Sequence, residues 1–451
     1  MMSLDEAAAA AGGRTSGGSP VFGGVSTDSR TLRSGDLFVA LRGERFDGHG
    51  FLGQAKDGGA VAAMVDRTYA GEFPLPVIVV DDTRLALGTL AREWRARFVP
   101  ALIAVTGSNG KTTVKEMLAA ILRRHAGDAP VLATAGNLNN DIGLPLTLLR
   151  LREVHRYCAI ELGMNHKGEI AYLAGIAAPT VGLVNNAQRE HLEFMNSVDE
   201  VAAENGAVYD ALPDAGVAVL NADDAHAHYF RRRAGKRRTV EFGLDAPAAV
   251  TGGYTLKPLT SELSIRTPAG EARATLAIPG LHNVRNALAA AACAFAAGIE
   301  ARTIAEGLSA FRPYTGRLQV KKAASGATVI DDSYNANPDS VRAAIDVLAS
   351  CPAPTVLVLG DMGEVGARGA EFHREVGAYA AAKKISRLLA MGEATKHAVD
   401  SFGPGARHFD KVEELVSSIE GNSILVKGSR FMKMERVVAA LTGKTTTQGN
   451  H

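Results

Sequence analysis

The stretch AVTGSNGKTTVKEML, residues 104–118, decides how the chain is read. Residues 102–105 are a short apolar run, Gly107, Ser108, Asn109 and Gly110 form a flexible turn, and Val114, Met117, Leu118, Ile121 and Leu122 recur at the spacing of one helix face. A strand, a glycine turn and a helix amino terminus together present several backbone N–H groups and a favourable dipole to an anion. Lys111 is placed to reach the terminal phosphates of a nucleotide, and the Thr112 or Thr113 hydroxyl to meet Mg²⁺. Val105 stands where the longer Walker pattern has its first glycine, so this is a shortened phosphate loop. The pattern predicts ATP and Mg²⁺ as cofactors. The plain alternative is a glycine-rich connection with an incidental Lys-Thr.

Around this loop the chain alternates between apolar strands and helices. At 451 residues, and about 150 residues per domain, it should form about three domains. Up to Val99 short apolar runs (DLFVAL, PLPVIVV) among many glycines end in a helix expected over 85–98, which reads as a small α/β domain. From Ala101 the runs ALIAV, YCAIEL, TVGLV and GVAVLN, followed by an alanine-rich helix after GLHNVRNAL, read as a parallel-sheet domain. Beyond FRPYTGR a third block carries the strands ATVIDD, TVLVLGD, RLLAMG and SILVKGSR. The expected division is 1–99, 100–312 and 313–451, with hinges near 99–101 and 311–316.

Composition excludes several classes. Hydrophobic residues make up 46% and charged residues 22%, with 48 glycines, as in an α/β protein rather than a disordered chain. A net charge of +1 gives no bulk field to recruit nucleic acid or an anionic membrane, so anionic ligands need local sites. No apolar stretch approaches the roughly 18 residues of a membrane span, and Asp5 and Glu6 precede the first alanine run where a cleaved signal would be apolar. Cys158, Cys293 and Cys351 lie far apart with neither metal-ligand nor disulfide spacing. A monomer in the reducing cytoplasm is expected, with no nucleic-acid or membrane partner.

Other polar residues sit where parallel strands end, the edge at which open sheets bind ligands. Glu161 stands at the end of the run YCAIEL, His191 closes the loop after TVGLVNN, and Asp331, Asp332, Asp361 and Lys427 end strands of the third block. Asn283 and Asn286, three apart, share a face of an otherwise apolar helix, and an amide can both donate to and accept from a base edge. STDSR (26–30) and RGERFDGHGF (42–51) supply hydroxyls, guanidinium groups and glycine backbone suited to a uracil and a diphosphate, although turn chemistry alone gives the same composition.

The loop, GNLNNDIGLPLTLL, ELGMNHKGEI, GLHNVRNALAAAACAFAAG, GRLQ and DDSYNANPDS occur in one order across nearly the full length, and together they resemble the Mur ligase family of ATP-dependent amide-forming enzymes. The resemblance implies a UDP-binding first domain, a central ATPase-like domain and a Rossmann-like third domain. Within the family it points to the branch that joins D-alanyl-D-alanine to UDP-N-acetylmuramoyl-tripeptide through an acyl phosphate. It implies catalytic roles for Lys111, Glu161, His191 and Arg317, with Arg317 swinging onto the γ-phosphate. Thr112 and Glu161 would hold Mg²⁺ and His191 a second metal; Asn283 and Asn286 would meet adenine and Asp332 the ribose. Ser29, Arg30, Arg45, Phe46, Asp47 and His49 would hold the UDP end. Asn137, Asn139 and Asn140 would line the sugar and peptide side, and Tyr334, Asn335 and Asn337 would lie near nucleotide and incoming amine.

One departure stands out. The family usually carries Lys-Gly-Glu shortly after the histidine, its lysine holding CO₂ as a carbamate; here Asn205, Gly206 and Ala207 take those places, and asparagine cannot form a carbamate. The KGE at 167–169 lies in a different segment. The nearest rival is the sister ligase that adds the third residue, whose DNPR signature is absent; folylpolyglutamate synthetase shares the loop but not the start of the chain. A rival of another class is a nucleotide-driven ATPase switch.

Overall fold

The helix Thr83–Arg95 is the piece on which the architecture turns. Asp82 caps it, its carboxylate accepting from the Arg84 and Leu85 amides at 2.7 and 3.0 Å, and Leu87, Leu90, Ala91 and Trp94 form its apolar face. In this computed structural model, which describes residues 1–44 and 46–443, that face enters one core shared by Leu4, Leu37 and Ile78 of the first domain and Leu102, Ala104, Leu144 and Leu173 of the central one. Polar ties follow the same seam. Trp94 Nε1 donates to the Leu151 carbonyl at 3.1 Å, and the buried Arg95 guanidinium donates to the carbonyls of Ala177 and Ala178 at 3.0 and 3.1 Å. The chain crosses between domains near residue 100, but the apolar core does not stop there.

The first domain is a five-stranded sheet in the order Arg14–Ser16, Val77–Val80, Ala62–Asp66, Asp36–Val39, Gly24–Ser26, parallel except for the first pair. The central sheet has six parallel strands in the order Arg238–Phe242, Val217–Asn221, Val181–Val184, Ala101–Thr106, Tyr157–Glu161, Val131–Ala133. Alternation along Ala101–Thr106 fixes its two faces. Leu102 and Ala104 join the core with the first domain, whereas Ile103 and Val105 join a second core under the helices Lys111–Ala126, Leu281–Ala296 and Ala301–Ala310. Strand order reverses around Ala101–Thr106, so its carboxyl end opens onto the crevice where such sheets bind ligands.

The third domain pairs an antiparallel edge strand, Gln319–Lys322, with five parallel strands: Thr328–Asp332, Ser423–Lys427, Thr355–Gly360, Arg387–Met391 and Ala406–Phe409. Phe311, Leu318, Ala336 and Val347 continue the second core into it.

One element departs from the parallel-sheet expectation. Thr251–Leu256, Ser261–Thr267 and Gly270–Leu276 form a separate three-stranded antiparallel sheet. Its signal is period-two alternation (SELSIRT buries Ser261, Leu263, Ile265 and Thr267 in turn), which a search for continuous apolar runs passes over. Arg45 and residues 444–451 lie outside the described residues.

Because the first two domains share a core, Leu90→Ala, at a fully buried position, is expected to destabilise both together by about 2–5 kcal/mol. Trp94 is the chain's single tryptophan and sits at that seam, so its fluorescence reports the junction. Denaturant curves followed by Trp94 fluorescence and by circular dichroism should coincide for the change that includes the central sheet; an earlier, separate fluorescence transition would contradict the shared core.

Candidate functional site

The phosphate loop is shaped by its neighbours as much as by its own glycines. Gly107 and Gly110 take φ of +130° and +84°, a region that favours glycine, and a Cβ on Gly110 would stand 2.3 Å from Asn286 Oδ1. At Gly107 it would stand 3.0 Å from the amide nitrogens of Asn185 and Asn186. Those asparagines end the neighbouring strand and hold the loop. The amides of Ser108 and Asn109 donate to the Asn186 carbonyl and Oδ1 at 3.0 and 2.8 Å, and Asn185 Nδ2 donates to the Asn109 carbonyl at 2.8 Å and to Asn286 Oδ1 at 3.0 Å. Lys111 Nζ donates to the Gly107 and Ser108 carbonyls at 2.6 and 3.1 Å and to Glu190 Oε1 at 2.8 Å. Gly110 precedes Lys111–Ala126 without a side-chain cap, which leaves the helix amino terminus open to an anion.

Beside the loop, Glu161 is buried at the end of its strand. Oε1 accepts from Thr112 Oγ1 at 3.2 Å and Asn139 Nδ2 at 2.8 Å, while Oε2 is buried without a partner. An ionised oxygen left alone in that position is costly, and a hard cation would satisfy it. No cluster of three or more His, Cys, Asp or Glu side chains fit for a metal occurs among the described residues. One carboxylate and one hydroxyl suit Mg²⁺, which takes most of its remaining oxygens from water and phosphates. His191, with φ of +50°, lies 3.4 Å from Glu190 and 2.7 Å from Glu364, the latter contact too poorly aligned for a hydrogen bond. Burial pushes its imidazole down, but the two carboxylates outweigh burial and hold the pKa up at about 9. His191 is therefore protonated at neutral pH and would have to release a proton before ligating a metal.

The third domain brings Arg317 over the Tyr334 ring, 4.1 Å from its centroid, with Nε buried and unpaired. Asp332 accepts from the Leu318 amide at 3.2 Å and pairs with the buried Lys427 ammonium, so it fixes the backbone next to Arg317. Burial pushes Asp332 up and Lys427 down despite their pairing. Asn337 caps Pro338–Ala349, accepting from the Ser340 amide at 2.8 Å, and its Nδ2 donates to Asn109 Oδ1 at 2.9 Å, joining this domain to the phosphate loop. Asn335 offers its carbonyl to Lys427 at 2.9 Å.

Asn283 and Asn286 are buried and bonded to the protein: Asn286 Nδ2 donates to Asn283 Oδ1 at 3.0 Å, and Asn283 Nδ2 donates to the Pro279 carbonyl at 2.7 Å. Next to them burial and Lys427 push His282 down to about 4, which makes it neutral and able to accept from Asn283 Nδ2 at 3.0 Å.

These groups face one cavity of about 910 Å³. Its walls include the loop from Ser108 to Thr113, Asn137, Asn139, Asn140, Glu161, His191, Asn283, Asn286, Arg317, Asp332, Tyr334, Asn335 and Asn337. From the first domain it receives Arg84, paired with Asp141. Ser29, Arg30, Phe46, Asp47 and His49 lie outside it. Ser29 bonds Gln54 at 3.0 Å, Arg30 pairs with Asp28 at 2.7 Å, and Phe46 is 59% exposed. His49 is turned inward: Nδ1 lies 2.6 Å from Asp47, and Nε2 accepts from the Asp66 amide at 3.1 Å, so its ring serves the loop. Asn205 is also closed off, Oδ1 accepting from Thr106 Oγ1 at 2.6 Å and Nδ2 donating to the Val201 carbonyl at 3.0 Å, so it braces the strand under the phosphate loop. Sequence reasoning passed over Asn185, Asn186, Gln188, Arg189 and Glu190. Their signal was the polar run NNAQRE directly after a strand beside the loop-bearing strand.

Family models match residues 21–95 (Mur ligase family, catalytic domain), 105–294 (Mur ligase middle domain) and 316–430 (Mur ligase, glutamate ligase domain). The chain is 42% identical over 442 residues to the UDP-N-acetylmuramoyl-tripeptide–D-alanyl-D-alanine ligase of Escherichia coli (strain K12), covering 95% of this chain and 96% of that protein. It is similar to a crystal structure of MurF from Acinetobacter baumannii, with TM-score 0.90, 35% identity and 98% and 99% of the two chains covered. It is also similar to the MurF ligase of Thermotoga maritima in complex with ADP, with TM-score 0.81, 25% identity and 94% and 98% covered.

Gly110→Ala meets both a strained φ and the Asn286 amide, so a loss of ADP affinity of roughly tenfold or more is expected in calorimetry, with the fold retained by circular dichroism. Unchanged affinity would contradict the tight packing of the loop. In the first domain, burial acts to raise the Asp66 carboxyl, but Arg42 and Thr68 outweigh it and hold it well below the usual carboxylate range. A depressed folded pKa contributes stability above the unfolded value of about 4, lost as pH falls through the folded value. Asp66→Asn is expected to melt below the wild type at neutral pH, with the gap narrowing under acid; a gap independent of pH would refute that role.

Proposed function

The chain belongs to the Mur ligase family, and from that premise we propose that it joins D-alanyl-D-alanine to UDP-N-acetylmuramoyl-tripeptide with hydrolysis of ATP to ADP and phosphate. The observation that carries the reading is the convergence of the phosphate loop, the unpartnered Glu161 oxygen and Arg317 on one cavity walled by all three domains. A tripeptide carboxylate oxygen takes the γ-phosphoryl group, its new O–P bond replacing the bond to ADP. The D-alanyl-D-alanine amine then attacks the carbonyl carbon, the C–N bond forms, the C–O bond to phosphate breaks and the amine loses a proton. No protein nucleophile is required.

The division of labour follows the domains. Residues 1–99 hold the UDP end, 100–312 the ATP, and 313–451 receive D-alanyl-D-alanine and close over the nucleotide. Loop amides and the helix amino terminus cradle the phosphates, and Lys111 exchanges Glu190 for the terminal phosphate. Thr112 and Glu161 would hold Mg²⁺, which when bound neutralises charge on the phosphates. Arg317, its planar fork held against Tyr334, supplies further positive charge as the phosphoryl group moves. No helix among the described residues is long and apolar enough to cross a membrane, and the buried free thiols suit the cytoplasm.

Phosphate release from ATP, measured with UDP-N-acetylmuramoyl-tripeptide and Mg²⁺, should rise on adding D-alanyl-D-alanine, with equimolar pentapeptide product by mass spectrometry. Lys111→Ala should abolish ligation while the fold persists. Phosphate release indifferent to the dipeptide, without amide product, would favour an ATPase switch.

A further inference from the structure

Residues 188–191 turn alternately to the two bodies they lie between. Gln188 and Glu190 face the phosphate loop: the Gln188 amide donates to Ser108 Oγ at 2.9 Å, its Oε1 accepts from Asn109 Nδ2 at 2.7 Å, and Glu190 takes the Lys111 ammonium at 2.8 Å. Arg189 and His191 face the third domain. Arg189 Nε lies 3.1 Å from Asp339 Oδ1 and Nη2 2.5 Å from the same oxygen; Nη1 and Nη2 donate to Glu375 Oε2 and Oε1 at 2.7 and 3.0 Å. The Arg189 amide adds a bond to Asp339 Oδ2 at 3.1 Å, and the guanidinium lies 5.3 Å from the centre of the Phe372 ring. Asp339 sits in the first turn of the helix whose cap, Asn337, bonds Asn109.

We propose that Arg189 is a positioning residue for ligation: it clamps Asp339 and Glu375 and so sets where the third domain, with Arg317 and Tyr334, sits over the phosphate loop. An exposed ion pair carries little such weight. This guanidinium differs, since its side chain is only 24% exposed, it meets two carboxylates, and both fork directions are used. It is also joined by single peptide bonds to Gln188 and Glu190, so displacement of the domain pulls on both loop contacts. A lysine would restore the charge but not the fork. The inference rests on the ligase reading above, and wild-type ligation is the control that separates the two.

The test compares wild type, Arg189→Ala, Arg189→Lys and the double variant Asp339→Asn/Glu375→Gln in steady-state ligation, with ADP affinity by calorimetry and small-angle scattering of the free protein. Arg189→Ala is expected to lower kcat about tenfold to hundredfold, the scale of a misplacement near 1 Å, while ADP affinity stays close to wild type because the loop glycines and Lys111 are intact. Its scattering should show a larger radius of gyration. Arg189→Lys should recover part of kcat, and the double variant, altered only in the third domain, should reproduce the loss. If Arg189→Ala fails to fold, the double variant decides. Should wild type ligate while the double variant, or a folded Arg189→Ala, keeps kcat within about twofold, the proposal falls. It falls also if activity drops only in step with the folded fraction. Absence of ligation by wild type would instead overturn the ligase reading.

Discussion

The backbone of Gly107 passes so close to the amides of Asn185 and Asn186 that a side-chain carbon there would stand 3.0 Å from their nitrogens, tighter than an ordinary contact. Much of the rest depends on that approach. A glycine loop alone is too free to hold amides toward a phosphate, and its entropy must be removed before an anion can bind well. Here the end of the neighbouring strand removes it: Asn186 takes up the Ser108 and Asn109 amides and Asn185 fixes the Asn109 carbonyl and the Asn286 side chain, which leaves the helix start as the part open to an anion. The adjacency exists because Val181–Val184 lies beside Ala101–Thr106 in parallel register, which sets both carboxyl ends at one level.

The same register lets a short connecting segment serve two bodies. Beyond Asn186 the chain runs along the loop, Gln188 and Glu190 bonding to the loop and Arg189 between them to the third domain. Asn109 meets Asn337 across that boundary, and Asp332 with Lys427 steadies the turn that carries Arg317. Positive charge from Lys111 and Arg317 and an unpartnered carboxylate oxygen on Glu161 thus face one cavity. Each would be costly to bury alone, and the proposed metal-bound nucleotide triphosphate would offer each a counterpart. On the other side, the core shared through Thr83–Arg95 seats the first domain rigidly, so Arg84 reaches the cavity from a fixed platform.

What was legible in the residues was local in kind. Periodicity at 3.6 residues placed Lys111–Ala126, and continuous apolar runs placed the buried parallel strands, because each signal lies within a dozen consecutive residues. The antiparallel sheet between residues 251 and 276 was missed because its half-buried strands are not apolar runs. Asp47 and His49 read as ligand-facing polar groups, yet they stabilise their own loop, since composition does not distinguish a polar side chain that meets a ligand from one that meets a neighbouring amide. Asn205 shows the same limit: its identity excludes a carbamate, while its bond to Thr106 became visible only when the helix Val198–Gly206 was laid against the sheet.

The family resemblance suggested Glu161 and Arg317 on the nucleotide side; by itself the sequence determined that a glycine turn opens a helix and that α/β blocks lie on either side of it. These are properties of neighbours along the chain, set by backbone propensity and spacing. Only the tertiary structure decided which side chains hold that loop, that Arg189 reaches two acidic residues of another domain, and that the first two domains share one core. Those depend on pairs more than 30 residues apart, whose meeting is governed by strand order and helix packing, and no local pattern encodes them.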